Sequence, residues 1–468
     1  MTKGTSTSLR HERGPGPGPK ARYRPRSVRP GLLLTAGALL ATTLAVVPPA
    51  TGAEAAADSP REANRMTMEQ REPRPRTPGT HQATQAALDA IVAAGTPGAL
   101  ARATNGRAHW SGTAGVADLR TGQPRRATDR FRVGSLTKTF TATLLLQLEA
   151  EGRLSLDDSV EKWLPGVIRG RGHDGRKVSL RQLLNHTSGI FSYNRDPGFL
   201  ARFTGEPFLE HRYDGATPQE LVRIGLSHPP EFPPGTGWSY SDTNYILAGL
   251  VVERATGHDY ATEVERRLIR PLRLHSTTVP GTSPTVPRPH ARHYSRLYLD
   301  HPDAPIHDVT DFNPSVAWAA GQIISTADDL NRFFRALLGG ELLPARQQRA
   351  LLDTVPTGDG EAPPTGHSSS GYGLGIRSDT LSCGVTVWGH GGQVPGSLSR
   401  TAATRDGRHV LTLNRNGDWG EQTGEDAVLE AEFCGARPAA GSDDGDTPGA
   451  ERGRIPRSGV EDPALVVP

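Results

Sequence analysis

The sequence predicts an α+β fold, in which an antiparallel β-sheet is flanked by helices and interrupted by a helical insertion. Three observations point to it. Strand-like alternation lies at the two ends of the folded region, near Ala99–Gly112 and Tyr372–Leu413, and helical periodicity fills the middle. Asn105-Gly106 and Asp406-Gly407 sit between strand candidates as hairpin turn signals. Strands and helices come in blocks and do not alternate, which argues against a βαβ repeat.

The folded region has to be separated from the ends first. The chain has 468 residues, of which 35% are hydrophobic, low enough to imply disordered tails. Residues 1–30 carry eight Lys or Arg and one acid, Glu12. An apolar run from Gly31 to Val47 follows, then Pro48-Pro49 and small residues to Ala53. This order predicts a secretory signal peptide over residues 1–53, with an uncleaved membrane anchor as the alternative. No cysteine lies there, which excludes a lipoprotein anchor. The formal net charge of +3 becomes −4 once that segment is set aside, so the basicity belongs to export and gives no case for nucleic acid. Residues 54–81 read as a flexible linker and 435–468 as a disordered tail, both rich in Pro and charge. One folded domain over 82–434 remains. Its two cysteines, Cys383 and Cys434, suggest one disulfide in an exported protein; two separate thiols are the alternative.

Within the domain, Leu88 and Ile91 with Val92 place an apolar face on a helix over 82–94. Strands near 99–104 and 108–112 follow. Phe140, Leu144 and Leu148 are spaced four apart, which predicts a core helix ending near Glu151-Gly152. Ser179 caps a short helix to Asn185. Tyr193 to His228 is polar with few apolar anchors. Ile246, Leu247, Leu250 and Val251 mark a helix that ends at Thr256-Gly257. The chain from Pro280 to Pro314 is irregular, and Ser325 to Leu330 opens a capped helix. Strands are expected at 372–376, 383–388, 399–404 and 409–413, and a closing helix at 425–433.

The chemistry sits at the start of the Phe140 helix. Ser135 and Lys138 form an S-x-x-K pair in its first turn, on one side. A serine hydroxyl needs a neighbour to accept its proton, and a lysine one turn away serves if burial or nearby positive charge lowers its pKa. The helix N-terminus favours a developing oxyanion. Two further segments complete a pattern: Tyr240-Ser-Asp242 and His390-Gly-Gly392. With the phrases Arg181 to Gly189, Trp318 to Gly321, Tyr372 to Ile376 and Leu381 to Gly384, the chain resembles the serine β-lactamase and D-alanyl-D-alanine carboxypeptidase family. More narrowly, it is similar to secreted D,D-carboxypeptidases related to class C β-lactamases.

The resemblance implies that Ser135 is acylated, that Lys138 and Tyr240 share proton transfer, and that His390 opens the third motif on an edge strand beside the substrate. It implies an oxyanion hole from the backbone N–H groups of Ser135 and Gln393. It also places Arg377, just ahead of that strand, near a substrate carboxylate. His186 is read as structural. It implies no cofactor and no metal, and His290, His293, His301 and His307 lack metal-ligand spacing. A monomer acting on a small peptide, ester or β-lactam is expected. The expected activity is that of a D-alanyl-D-alanine carboxypeptidase or β-lactamase. The alternatives are an esterase or D-amino-acid peptidase on the same scaffold, or a non-catalytic penicillin-binding protein.

Two departures bear on that choice. Asp242 stands where the family usually has Asn, within expected reach of Lys138. Gly391 and Gln393 stand where carboxypeptidase relatives often carry hydroxyls that hold a substrate carboxylate, which favours an esterase or another acyl transfer. For export, N-terminal sequencing of secreted material is expected to read from near Glu54 or Asp58; a sequence beginning at Met1 overturns the leader.

Overall fold

A nine-stranded antiparallel sheet organises the chain. In the computed structural model the described residues are 81–298, 303–357, 370–419 and 423–435. The expected leader, nearly all of the linker and nearly all of the tail lie outside them. Helix α1 (Gln82–Ala93) leads into β1 (Gly98–Asn105) and β2 (Ala108–Asp118). The Gly106 turn has φ 59°, a left-handed conformation that glycine adopts at no steric cost. The middle of the chain supplies α2 (Thr137–Ala150), α3 (Asp242–Thr256) and α4 (Ala327–Leu338). The sheet is completed by β3 (Ser370–Tyr372), β4 (Arg377–Thr380), β5 (Thr386–Val394), β6 (Ser397–Ala403) and β7 (His409–Arg415), and α5 (Thr423–Cys434) closes the domain. The strand order is Val355–Pro356, β3, β4, β5, β6, β7, β1, β2, Gln123–Pro124.

Period-two alternation divides the core between the two sheet faces. Ala99, Ala101, Ala103, Leu411 and Leu413 pack with Leu88 of α1 and Val428 and Leu429 of α5. Leu100 and Val410 face the other way, onto Phe140 of α2 and Phe333 of α4. Phe140 and Phe333 stack at 3.8 Å between ring centroids. Helix α2 is buried on every side, because α3 covers the flank that the sheet leaves open. Its threonines therefore hand their hydroxyl protons to carbonyls: Thr139 to Gly375 at 2.6 Å, Thr141 to Ala319 at 2.8 Å and Thr143 to Thr139 at 2.7 Å.

Several expectations need correction. The stretch after Tyr193 holds helices at Pro197–Phe203, Pro207–His211 and Pro218–Gly225, each with proline in its first turn, where a missing N–H costs nothing. Helix α3 starts at Asp242, several residues before its apolar run. The expected strand at 372–376 breaks at Gly373–Gly375, with Gly375 at φ 71°, so Arg377 opens a strand of its own. The expected strand at 383–388 begins at Thr386, and Cys383 lies in the turn before it. His390 lies where β5 becomes an edge: β5 pairs with β4 from Thr386 to Gly389, and among the described residues His390 to Val394 have no strand partner on that side.

Cys383 and Cys434 form a disulfide across 51 residues of sequence, tying the β4–β5 turn to the end of α5. Replacing both cysteines with serine is expected to cost about 3–4 kcal/mol in the chain-entropy account. Denaturant unfolding of the oxidised protein and of the double variant measures this, and equal midpoints and slopes would refute it.

Candidate active site

Ser135 sits in a short 3-10 turn, Gly134–Leu136, that runs straight into α2. This turn lies against β5 with almost no space between backbones. A Cβ on Gly392 would come within 1.9 Å of the Val133 carbonyl oxygen and 2.9 Å of the Ser135 nitrogen; one on Gly134 would come within 2.6 Å of the Gln393 nitrogen. Glycine at both positions lets the Ser135 and Gln393 amides approach one another. That is the arrangement two oxyanion donors require.

Lys138 lies one turn on and is fully buried. Its ammonium donates to Ser135 Oγ at 2.9 Å and to the Ala320 carbonyl at 3.1 Å, and it forms an ion pair with Asp242. Three acceptors match the three protons of an ammonium. Helix α3 brings Asp242 because that residue is in its first turn, where an acid is favoured. The other carboxylate oxygen accepts from Asn194 Nδ2 at 2.7 Å. Ser192 holds both partners: its hydroxyl donates to Asn194 Oδ1 at 2.6 Å and accepts from the Asp242 backbone N–H at 2.9 Å. Burial raises the Asp242 carboxyl above its ordinary range, and the Lys138 charge offsets only part of that rise. The ion pair with Lys138 on one oxygen and the Asn194 amide on the other favour the carboxylate form.

Tyr240 precedes α3, and Lys138 Nζ stands 4.7 Å from its ring centroid. Burial, then the Asp242 charge, pushes its hydroxyl well above the usual phenol range; the Ser135 hydroxyl within reach and the Arg377 cation pull the other way. Lys138 donates to Ser135 Oγ, which leaves the serine's own proton to be directed elsewhere, and Tyr240 lies within reach of that hydroxyl. Arg377 pairs across the sheet with Gly389, and burial lowers its pKa. Its charge acts on Tyr240, Tyr372 and His390. His390 is buried on β5 beside Tyr240, with 6.3 Å between ring centroids. Both its ring nitrogens contact protein groups, Tyr372 Oη at 2.9 Å and the Gly391 carbonyl at 2.5 Å.

Ser135, Lys138, Tyr240, Asp242, Arg377, His390 and Gln393 thus converge, whereas Cys383 and Cys434 lie in the structural disulfide. Sequence reasoning missed Asn194, the Ala320 carbonyl and Tyr372. Asn194 belongs to no motif and is recruited by a loop fold; a carbonyl carries no sequence signal at all.

The Beta-lactamase family profile matches residues 84–433, and the chain belongs to that family. A D-stereospecific amidohydrolase from Streptomyces sp. is 54% identical, with a TM-score of 0.70 over 76% of this chain and 100% of that one. D-amino acid amidase from Ochrobactrum anthropi SV3, solved with D-phenylalanine, is 28% identical, with a TM-score of 0.64 over 75% of this chain and 97% of that one. Penicillin-binding protein 4* from Bacillus subtilis is 27% identical over 328 residues, 68% of this chain and 67% of its own length.

Replacing Asp242 with Asn removes an anion that favours the Lys138 ammonium and raises the Tyr240 pKa. Either group as base then ionises at lower pH. Asp242→Asn is therefore expected to remain active and to shift the rising limb of the kcat/KM profile toward lower pH. Superimposable profiles for the two proteins would remove Asp242 from the mechanism.

Proposed function

We propose that this chain is a serine amidohydrolase that acts on amides or short peptides of D-amino acids through an acyl-enzyme at Ser135. The observation that carries the reading is the Ser135–Lys138–Tyr240 geometry, in which a buried ammonium and a phenol flank one hydroxyl. The similarity to a D-stereospecific amidohydrolase over that protein's whole length supports the amide and the D configuration. The absence of hydroxyls at Gly391 and Gln393 favours this reading over a carboxypeptidase. Secretion, expected from the leader, suits such a substrate.

Ser135 Oγ attacks the carbonyl, and its proton passes by way of Tyr240 to the leaving nitrogen. The Lys138 ammonium stabilises negative charge developing on both oxygens. Water then releases the acyl group by the same path in reverse. Beside Gln393 the chain continues to Val394 and Pro395, which line a partly enclosed apolar cavity with Tyr193, Phe199, Phe208 and Phe312. Tyr193, in that lining, is next in sequence to Asn194, the partner of Asp242. The similarity to a D-amino acid amidase solved with D-phenylalanine favours an apolar or aromatic acyl side chain.

Incubation with D-phenylalanine amide and with an activated D-phenylalanyl ester is expected to give hydrolysis and an acyl adduct by intact mass. The L-enantiomers are expected to react at least about tenfold more slowly, since a wrongly placed group in a fixed pocket forfeits more than about 1.4 kcal/mol. Ser135→Ala is expected to abolish the adduct; an unchanged adduct in that variant, or equal rates for D and L amides, overturns the proposal.

A further inference from the structure

Three buried rings beyond the nucleophile form one chain of directed hydrogen bonds. The Ser241 backbone N–H donates to His186 Nδ1 at 3.1 Å, and Asn244 Nδ2 stands 3.3 Å from the same nitrogen. With Nδ1 accepting, the His186 proton sits on Nε2 and faces Tyr372 Oη at 3.2 Å. Tyr372 Oη in turn lies 2.9 Å from His390 Nε2. The remaining nitrogen of His390, Nδ1, is 2.5 Å from the Gly391 carbonyl. A carbonyl only accepts, so Nδ1 carries the hydrogen and Nε2 is the acceptor for the Tyr372 proton. Each donor and acceptor in the chain is thereby assigned.

The surroundings enforce the same state. His186 and Tyr372 are fully buried and His390 is 3% exposed. The cations acting on His390 come from three elements: Lys138 on α2, Arg377 on β4 and Arg400 on β6, the last paired with Asp379. Tyr240 packs on it from the start of α3, and its own neighbour Gly391 offers a carbonyl. A second buried cation beside Lys138 is therefore disfavoured, first by burial and then by repulsion.

We infer that Tyr372 is a positioning residue of this site: fed by His186, its hydroxyl holds the His390 ring uncharged, in one tautomer and one orientation, with no nitrogen left for substrate. His390 then takes no part in proton transfer. Its neutral ring leaves Lys138 as the cation at Ser135 and does not compete with Tyr240 for the serine proton. Phenylalanine at 372 keeps the shape of the side chain but strips both histidines of their shared partner.

The test reads the histidine directly. In protein labelled with ¹⁵N-histidine, the His390 signals are identified by their loss in His390→Gln. Between about pH 5 and 8, where an unperturbed histidine titrates, the wild-type ring is expected to show a protonated Nδ1, an unprotonated and hydrogen-bonded Nε2, and no titration. Tyr372→Phe is expected to move Nε2 to the position of an unbonded lone pair. With D-phenylalanine amide its kcat is expected to fall about ten- to a hundredfold, as for other losses of orientation at a reacting group, with KM within about threefold. An Nε2–H tautomer, a titrating ring in wild type, or a wild-type kcat in Tyr372→Phe overturns the inference. The spectrum needs no substrate and no variant at 372. It therefore decides the question even if Tyr372→Phe fails to fold or the proposed acyl transfer proves wrong, which removes the kinetic arm alone.

Discussion

A fully buried lysine one turn from a serine is the constraint that the rest of this structure answers. An ammonium withdrawn from water costs several kcal/mol unless its protons find acceptors and its charge a partner. Lys138 finds all of these, but from widely separated parts of the chain: Ser135 from its own turn, the Ala320 carbonyl, and Asp242 from α3. Each must be held in place by the packing of α2 between α3 and the sheet. The polar faces of α2 are satisfied in the same way, by threonine hydroxyls aimed at carbonyls of neighbouring segments.

The same packing decides what the charged cluster does. Because Asp242 pairs with Lys138 and accepts from Asn194, its carboxylate form is favoured inside the protein. It pairs with Lys138 and makes Tyr240 harder to ionise. An amide at this position would do neither. The Asp242 departure thus changes the surroundings of both Lys138 and Tyr240, and Asn194, from the 3-10 turn Tyr193–Arg195, places an amide beside it.

Close backbone approach is the second constraint. The Ser135 turn and β5 touch through Gly134 and Gly392, where any side chain would collide with main-chain atoms. That contact brings the Ser135 and Gln393 amides together. It coincides with the point at which β5 loses its partner β4, so that the Ser135 turn packs beside Gly392 and Gln393 where that strand ends.

The sequence alone determined a good deal. Alternation and turn residues showed the strands of the sheet, because period-two burial and Asn-Gly or Asp-Gly turns are local properties; the Asn105-Gly106 hairpin and the α5 helix lie where they were expected. Ser135, Lys138, Tyr240 and His390 were legible because short spacings and ordered motifs mark them. The helices after Tyr193 were not, since they are short and carry one or two apolar anchors each, such as Phe199 and Phe208, whose partners lie elsewhere in the chain. Only the tertiary structure decided that Asp242 pairs with Lys138, that Asn194 completes the pair, and that Tyr372 joins His186 to His390. Those links span 18 to 186 residues of sequence. No local pattern encodes them, because hydrogen bonding between buried groups is chosen by which segments packing brings within 3 Å or so of one another.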